Sequence, residues 1–334
     1  MHIPDNYLSP ATCTTMLLIS TPIIGYAGHQ VKVQLNQQRG LAPMLGIGAS
    51  LSFLMMMFNV PIPGGTTAHA VGATLLAILM GPYAASISVT VALIVQAFLF
   101  GDGGILALGA NIFDMAIVMP FVGYAVYAIF RKFHHPNLGT IVGSYIGINV
   151  AALMAGILLG IQPLVAHTAN GAPLYCPYGL KVTIPAMLFA HLLVAGWIEA
   201  FFTFMVYRFV KRVAPNEIYQ TKLNIVDKSE DSYRKLYWVL AILIILCPIG
   251  LIANGTAFGE WSNGELLALM KHDHLANSLP HGMVHGINYQ AIFSDYTVPG
   301  TSLPIGYILS AISAIIIFVI LAKIISSSSG RNHG

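Results

Sequence analysis

Charge is the scarcest property of this sequence. Only 8% of its 334 residues are Asp, Glu, Lys or Arg, against about 25% in ordinary soluble domains, while 56% are hydrophobic. That balance excludes a water-soluble globule and implies a polytopic membrane protein. Cysteine is scarce too. Cys13, Cys176 and Cys247 lie far apart with no Cys-x-x-Cys spacing, which argues against a disulfide framework and a thiolate metal site. No lysine follows a glycine, so a Gly-Lys-Ser/Thr phosphate loop is missing, and any ATP hydrolysis is expected in a separate chain. No His-Glu-x-x-His occurs, and no basic run interleaved with aromatics points to nucleic acid. The N-terminus lacks the positive n-region of a signal peptide and carries Pro4 and Asp5 before its first apolar run, so Met1 is expected to stay in front of His2.

What is present is a series of apolar runs. A spanning helix needs roughly 20 mainly apolar residues, and the sequence predicts spans near 8–27, 42–60, 67–81, 83–100, 105–130, 139–162, 184–207, 236–253 and 304–322. With the N-terminus outside, all of the 15 Lys and Arg residues except Lys181 and Lys271 fall on the inner side, the bias that sets orientation in membranes. The expectation is an all-α polytopic protein of nine spans in the cell inner (cytoplasmic) membrane, N-terminus out and C-terminus in. Residues 1–210 form a seven-span bundle, 211–235 a charged cytoplasmic linker, and 236–334 a two-span accessory unit with an extracytoplasmic loop over 254–303. The run Ser326–Gly330 reads as a disordered tail. Small residues at four-residue spacing, Gly143, Gly147 and Ala151 and again Gly306, Ser310 and Ala314, suit close helix contacts, within the bundle or against a partner.

The first six residues, Met1-His2-Ile3-Pro4-Asp5-Asn6, carry the most distinctive chemistry. A histidine at position two lets the terminal amine, its own amide nitrogen and its imidazole wrap one metal in fused chelate rings. One further imidazole completes a square of nitrogens, which suits Ni(II) and Cu(II) and suits Mg or Ca poorly. His69 is placed to supply it. It sits at the outer end of the third predicted span, behind the rigid stretch Pro61-Ile62-Pro63-Gly64-Gly65, on the face from which the N-terminus enters. A histidine in an apolar bundle is either paired in its neutral form or used.

Three separated motifs, Met1-His2-Ile3-Pro4-Asp5, Pro63-Gly64-Gly65-Thr66-Thr67-Ala68-His69 and Phe100-Gly101-Asp102-Gly103-Gly104-Ile105-Leu106-Ala107-Leu108-Gly109-Ala110-Asn111, resemble the CbiM/NikM family over about residues 1–210. Those are the substrate-binding membrane components of energy-coupling-factor transporters for cobalt and nickel. The resemblance implies metal ligation by Met1, His2 and His69, with Co2+ or Ni2+ as transported substrate and no permanent cofactor. It also implies a separate CbiQ/NikQ-like coupling subunit and CbiO/NikO-like ATP-binding subunits. Two departures stand out: Asn6 replaces a usual glycine, and Asp114 stands where asparagine is commoner. Residues from Gly255 to Trp261 resemble the two-span CbiN/NikN or PDGLE-type accessory component.

Asp5, Thr67, Asp102 and Asn111 are the polar residues placed to orient the ligands. In the outer loop, His272, His274, His281 and His285 are accounted for by a solvated loop, with metal capture there as the alternative. Asp114 and Glu199 are carboxylates inside predicted spans and serve the rival reading, a proton-coupled secondary transporter. Against that rival, no inverted repeat is evident. A third reading, an intramembrane metalloenzyme, conflicts with a four-nitrogen square that leaves no open position for catalysis.

Overall fold

Ser9 and Pro10 start the first helix as local chemistry dictates. The Ser9 hydroxyl accepts from the Thr12 amide, and proline takes the first position, where its missing N–H costs nothing. The computed structural model describes residues 1–38, 40–213, 218–219, 230–253 and 255–330. Helix α1 (Pro10–Gln37) is followed by α2 (Leu41–Met57), of which every residue but Pro43 is buried; a helix apolar all round belongs in the middle of a bundle. A hairpin follows, β1 (Val60–Ile62) paired antiparallel with β2 (Thr66–Ala68), with Pro61 opposite Thr67. The first unit then runs through α3 (Ala73–Met80), α4 (Pro82–Phe100), α5 (Leu108–Lys132), α6 (Pro136–Val165) and α7 (Leu180–Val213). In the second unit α8 (Glu230–Leu246) passes into a 3-10 turn, Cys247–Ile252. The loop that follows carries α9 (Asn263–His272), opened by a reciprocal Ser262–Glu265 capping box, and the chain returns in α10 (Leu303–Gly330).

Six of these helices, α1, α4, α5, α6, α7 and α10, are long and apolar enough to cross a membrane, and Leu41–Met57 and Leu236–Ile252 are shorter apolar helices. The protein is a multi-pass membrane protein. The third predicted span, 67–81, differs from expectation. Its start is spent on β2 and the His69 turn, leaving eight helical residues in α3, about 12 Å of helix against a hydrocarbon core of about 30 Å. The C-terminal serines also differ, because α10 continues through them to Gly330 instead of ending before Ser326. Most of the predicted linker, 214–217 and 220–229, lies outside the described residues, as do Arg39, Lys222, Lys228 and Arg331.

Both small-residue stripes face inward. Ser310 and Ala314 of α10 are fully buried, and α10 lies along α2 with the Phe53 and Phe318 rings 5.8 Å apart. The α5–α6 crossing is closer still. A Cβ on Gly143 would stand 2.6 Å from the Gly123 carbonyl oxygen and 3.2 Å from the Tyr127 amide nitrogen, backbone atoms that cannot rotate away. Three π-helical turns interrupt the long helices at Gln96–Phe100, Ile112–Val118 and His191–Ala195. Such turns rotate the residues beyond them and recur at functional sites.

Gly143→Leu is expected to separate α5 from α6 and cost at least about 1–3 kcal/mol, the scale of overpacking. A lowered melting temperature in detergent would register it. Gly25→Leu, at an exposed position where an added Cβ meets nothing within 4 Å, should leave the melt unchanged.

Candidate metal site

The chain's first eight residues form a strap sunk into the bundle. Met1 and His2 are 3% and 4% exposed and Ile3 is fully buried. Burying a polar terminus is costly unless its groups find partners, and here nearly each one does. Asn111 grips Ile3 with both ends of its amide: the Ile3 N–H donates to Oδ1 at 2.8 Å, and Nδ2 donates to the Ile3 carbonyl at 3.0 Å. The same carbonyl accepts from Gly104 N at 2.9 Å. The Asp5 carboxylate accepts the Ile105 and Leu106 amides at 3.1 and 2.8 Å. Any side chain on Gly104 would collide with Asp5 and Pro4, so the Gly103-Gly104 pair lets the loop backbone press onto the strap. Asn6 holds φ at +69°, a left-handed conformation open to glycine and asparagine. Its substitution for glycine thus keeps the backbone shape. It also adds two bonds, donating to the Ile287 carbonyl at 2.8 Å and accepting from the Ile287 amide at 2.9 Å.

His69 meets this strap from the other side. After β2 the chain turns, and the Val71 and Gly72 amides donate to the Glu199 carboxylate at 2.8 and 3.0 Å, fixing the backbone that carries the imidazole. The His69 Nδ1–H points to the Ala70 carbonyl at 3.2 Å, which leaves Nε2 with a free lone pair. That Nε2 lies 3.4 Å from the Met1 nitrogen and 3.2 Å from His2 Nδ1. Two carboxylates flank the group: Glu260 Oε1 is 3.2 Å from the Met1 nitrogen, and Asp102 Oδ1 is 3.2 Å from His2 Nδ1. Burial, aided by the neighbouring terminal ammonium, pushes the His2 imidazole down to about 4, so it is neutral near pH 7 and able to ligate.

Two edges of a square of nitrogens can be compared with the structure. The amine, the His2 amide nitrogen and His2 Nδ1 follow one another along the strap, and a fourth donor opposite the amide must lie beside both the amine and Nδ1. With metal–nitrogen bonds near 2 Å, adjacent corners of such a square are about 2.8 Å apart. His69 Nε2 stands a few tenths of an ångström beyond that from each flanking nitrogen. A cavity of about 200 Å³ opens over His69, Asp102 and Glu260. Among the described residues no three His, Cys, Asp or Glu side chains converge on a common point; in the set at the strap, two of the four nitrogens belong to the backbone.

Of the orienting residues read from sequence, Asn111 and Asp5 hold the strap and Asp102 touches His2, while Thr67 is buried in β2. Gln96, Glu260 and Tyr296 were missed. Gln96 donates to Asp102 at 3.2 Å and to the Tyr296 hydroxyl at 3.0 Å. A buried amide in an apolar helix was the signal for Gln96; nothing in local spacing marks the other two, which come from the second unit. Of the loop histidines, His281 and His285 have ring centres 4.3 Å apart with planes tilted by 42°, and His272 pairs with Asp273 at 3.0 Å. Of the proposed proton carriers, Glu199 is engaged with backbone, and Asp114 is buried with neither oxygen partnered among the described residues. All three cysteines are free and buried.

Residues 2–217 match the family described as the cobalt uptake substrate-specific transmembrane region, and residues 234–331 match the PDGLE domain. The chain is similar to a protein named "Probable fused nickel transport protein LarMN" from Lactiplantibacillus plantarum, 57% identical over 97% of both chains. It is also similar to the fused nickel transport protein NikMN of Rhodobacter capsulatus, 38% identical over 96% of this chain and 95% of that one. A crystal structure of a transition metal transporter covers 72% of this chain and 99% of its own at 49% identity, with a TM-score of 0.61. A truncated transition metal transporter aligns with the same TM-score at 54% identity over 64% of this chain and 99% of its own.

Asn111→Ala should leave the buried Ile3 N–H without a partner, a cost of roughly 1–3 kcal/mol. Hydrogen–deuterium exchange is expected to speed up over residues 1–9 while α6 stays protected. Unchanged exchange at the strap would show that Asn111 does not hold it.

Proposed function

The chain belongs to the CbiM family of cobalt-uptake substrate-specific transmembrane proteins, with a PDGLE domain following, and on that premise we propose that it captures Ni(II) or Co(II) at the outer face of the cytoplasmic membrane for import. The observation that carries this reading is that Met1 N and His2 Nδ1 each lie within 3.4 Å of His69 Nε2. The metal is the transported substrate. It is held by the Met1 amine, the His2 amide and imidazole nitrogens, and His69. The strap is pinned by Asn111 and Asp5, so the donors are ordered before the ion arrives and little ordering cost remains at binding. Coplanar nitrogens suit Ni(II) above harder cations, and the fused nickel transport relatives support nickel as substrate.

The mechanism follows from these groups. A hydrated cation enters the cavity beside Asp102 and Glu260, loses water to the four nitrogens, and displaces protons from the amine and the His2 amide. The N-terminus faces out and the C-terminus in, by the basic-residue bias. Release inward is driven by a CbiQ/NikQ-like coupling subunit and CbiO/NikO-like ATPases in separate chains, since this sequence has no phosphate loop. The proton-coupled alternative is not favoured, because the Glu199 carboxylate is committed to the Val71 and Gly72 amides.

Inserting one alanine between Met1 and His2, with any tag at the C-terminus, keeps every side chain but breaks the chelate rings; tight Ni(II) binding should be lost. His69→Ala should weaken it by more than about a hundredfold, beyond the effect typical of a residue that only supports a ligand. Equilibrium titration of purified protein decides both, and full retention in either variant would move the site elsewhere. Because ligation expels protons, affinity should rise steadily between about pH 6 and 8.5. A flat profile in the same titration would contradict amine and amide ligation.

A further inference from the structure

Two histidines of the second unit lie apart from the strap and meet each other. His281 opens a single helical turn, His281–Val284, and His285 closes it, its amide donating to the His281 carbonyl at 3.1 Å. Residues four apart on a helix share one face. The two imidazoles accordingly come together, with ring centres 4.3 Å apart and planes tilted by 42°. Both side chains are exposed, and among the described residues neither imidazole has a hydrogen-bond partner. His272 differs, its ring being tied to the neighbouring Asp273 carboxylate at 3.0 Å.

The turn that carries the pair is anchored on both sides. The Gly282 amide donates to the Leu174 carbonyl at 2.8 Å, and the Met283 side chain beside it is buried. A side chain on Gly282 would collide with that carbonyl and with the Tyr175 ring. Two residues beyond His285, the Ile287 backbone is bonded at both its amide and its carbonyl by the Asn6 side chain. The backbone between the two histidines is therefore ordered before any ligand arrives, which keeps the cost of binding low.

The ring separation suits one shared ion. With a metal–nitrogen bond near 2 Å, the centre of a ligating imidazole stands about 3.2 Å from the metal, so two rings at right angles about it have centres about 4.5 Å apart. A tetrahedral angle would part them to about 5.2 Å. The observed 4.3 Å is nearer the right angle, which neighbouring ligands make in square and octahedral geometry. Both rings are exposed and can turn about χ2, so one nitrogen of each can face the ion. Imidazole nitrogen suits Ni(II), Cu(II) and Zn(II) and suits Mg or Ca poorly. Among the described residues no third His, Cys, Asp or Glu joins the pair, so water fills the remaining positions and the ion stays exchangeable.

We propose that His281 and His285 form a second metal site, a two-imidazole clasp for an exchangeable divalent transition-metal ion on the surface of the second unit. It uses none of the nitrogens at the strap and stands independently of the capture reading above.

Equilibrium dialysis of the full chain, without a histidine tag and with Ni(II) as probe, tests the clasp. The wild type should hold two equivalents, one tight and one weaker. His285→Gln should keep the tight equivalent and weaken the other by at least about tenfold, the lower bound for losing even a residue that only supports a ligand. His281→Gln should do the same, and both positions are exposed, so neither change disturbs the core. His272→Gln should alter neither equivalent. A wild type that holds one equivalent, or a weaker equivalent that survives both His281→Gln and His285→Gln, would overturn the clasp and leave the capture reading standing. Tight binding that survives the alanine insertion between Met1 and His2 would remove the capture reading, while loss of the weaker equivalent in His285→Gln would still support the clasp.

Discussion

A chain terminus cannot be buried in an apolar bundle without compensation, and the end of this molecule around Met1 is arranged to provide it. The Asn111 amide is the hinge of that arrangement. One side chain closes on both polar groups of the Ile3 peptide, and the Gly103-Gly104 backbone, the Asp5 carboxylate and the Asn6–Ile287 pair then follow the strap outward. Were Ile3 released, Met1 and His2 would have no reason to stay beneath the surface, and the meeting with His69 would be lost. The fold thus spends its polar side chains on holding a short peptide still. The two imidazoles and the amine come together as a result.

The same logic explains the shape of the third hydrophobic segment. A full-length helix from residue 67 would carry His69 along a continuous helical wall, its backbone N–H groups already paired. Beginning the helix at Ala73 frees the Val71 and Gly72 amides, and Glu199 of α7 takes them. A buried carboxylate at a helix start is favourably placed, since the first amides have no partner within the helix and the dipole is positive there. Glu199, which looks like a proton carrier when only its position in an apolar run is known, accepts hydrogen bonds from two peptide groups.

How much of this could be read in the sequence depends on the range of the interaction. Helix positions follow from composition and from local signals such as Ser9-Pro10 and Gly81-Pro82, and eight of the nine predicted spans coincide with apolar helices. Met1, His2 and His69 were singled out because the N-terminal pattern is chemically specific, and the structure sets Met1 N and His2 Nδ1 beside His69 Nε2. α3 was shorter than its hydropathy suggested, since Val, Leu and Ile give the same signal whether a segment crosses the membrane or ends half-way. Glu260 and Tyr296 were illegible as partners of the site. They lie some 200 residues from the groups they touch, and no periodicity links residues across that separation. Asn6 was visible as a departure from glycine, but only its φ and the Ile287 contact give the departure a physical meaning.

The attachment of the second unit bears on how weak an individual contact can afford to be. α10 lies along α2 through small residues and the Phe53–Phe318 pair, and the loop before it touches the strap at Asn6 and Tyr7 and reaches Asp102 beside it. In two separate chains, contacts of this kind would compete with dilution across the membrane plane. On one chain the second encounter is intramolecular, with an effective concentration in the millimolar range for short connections. Several hydrogen bonds, each worth only about 1 kcal/mol net, can then hold the surfaces together. Covalent continuity thereby lets the strap be covered by a polar, reversible surface, one that can part from it locally while the two units stay together.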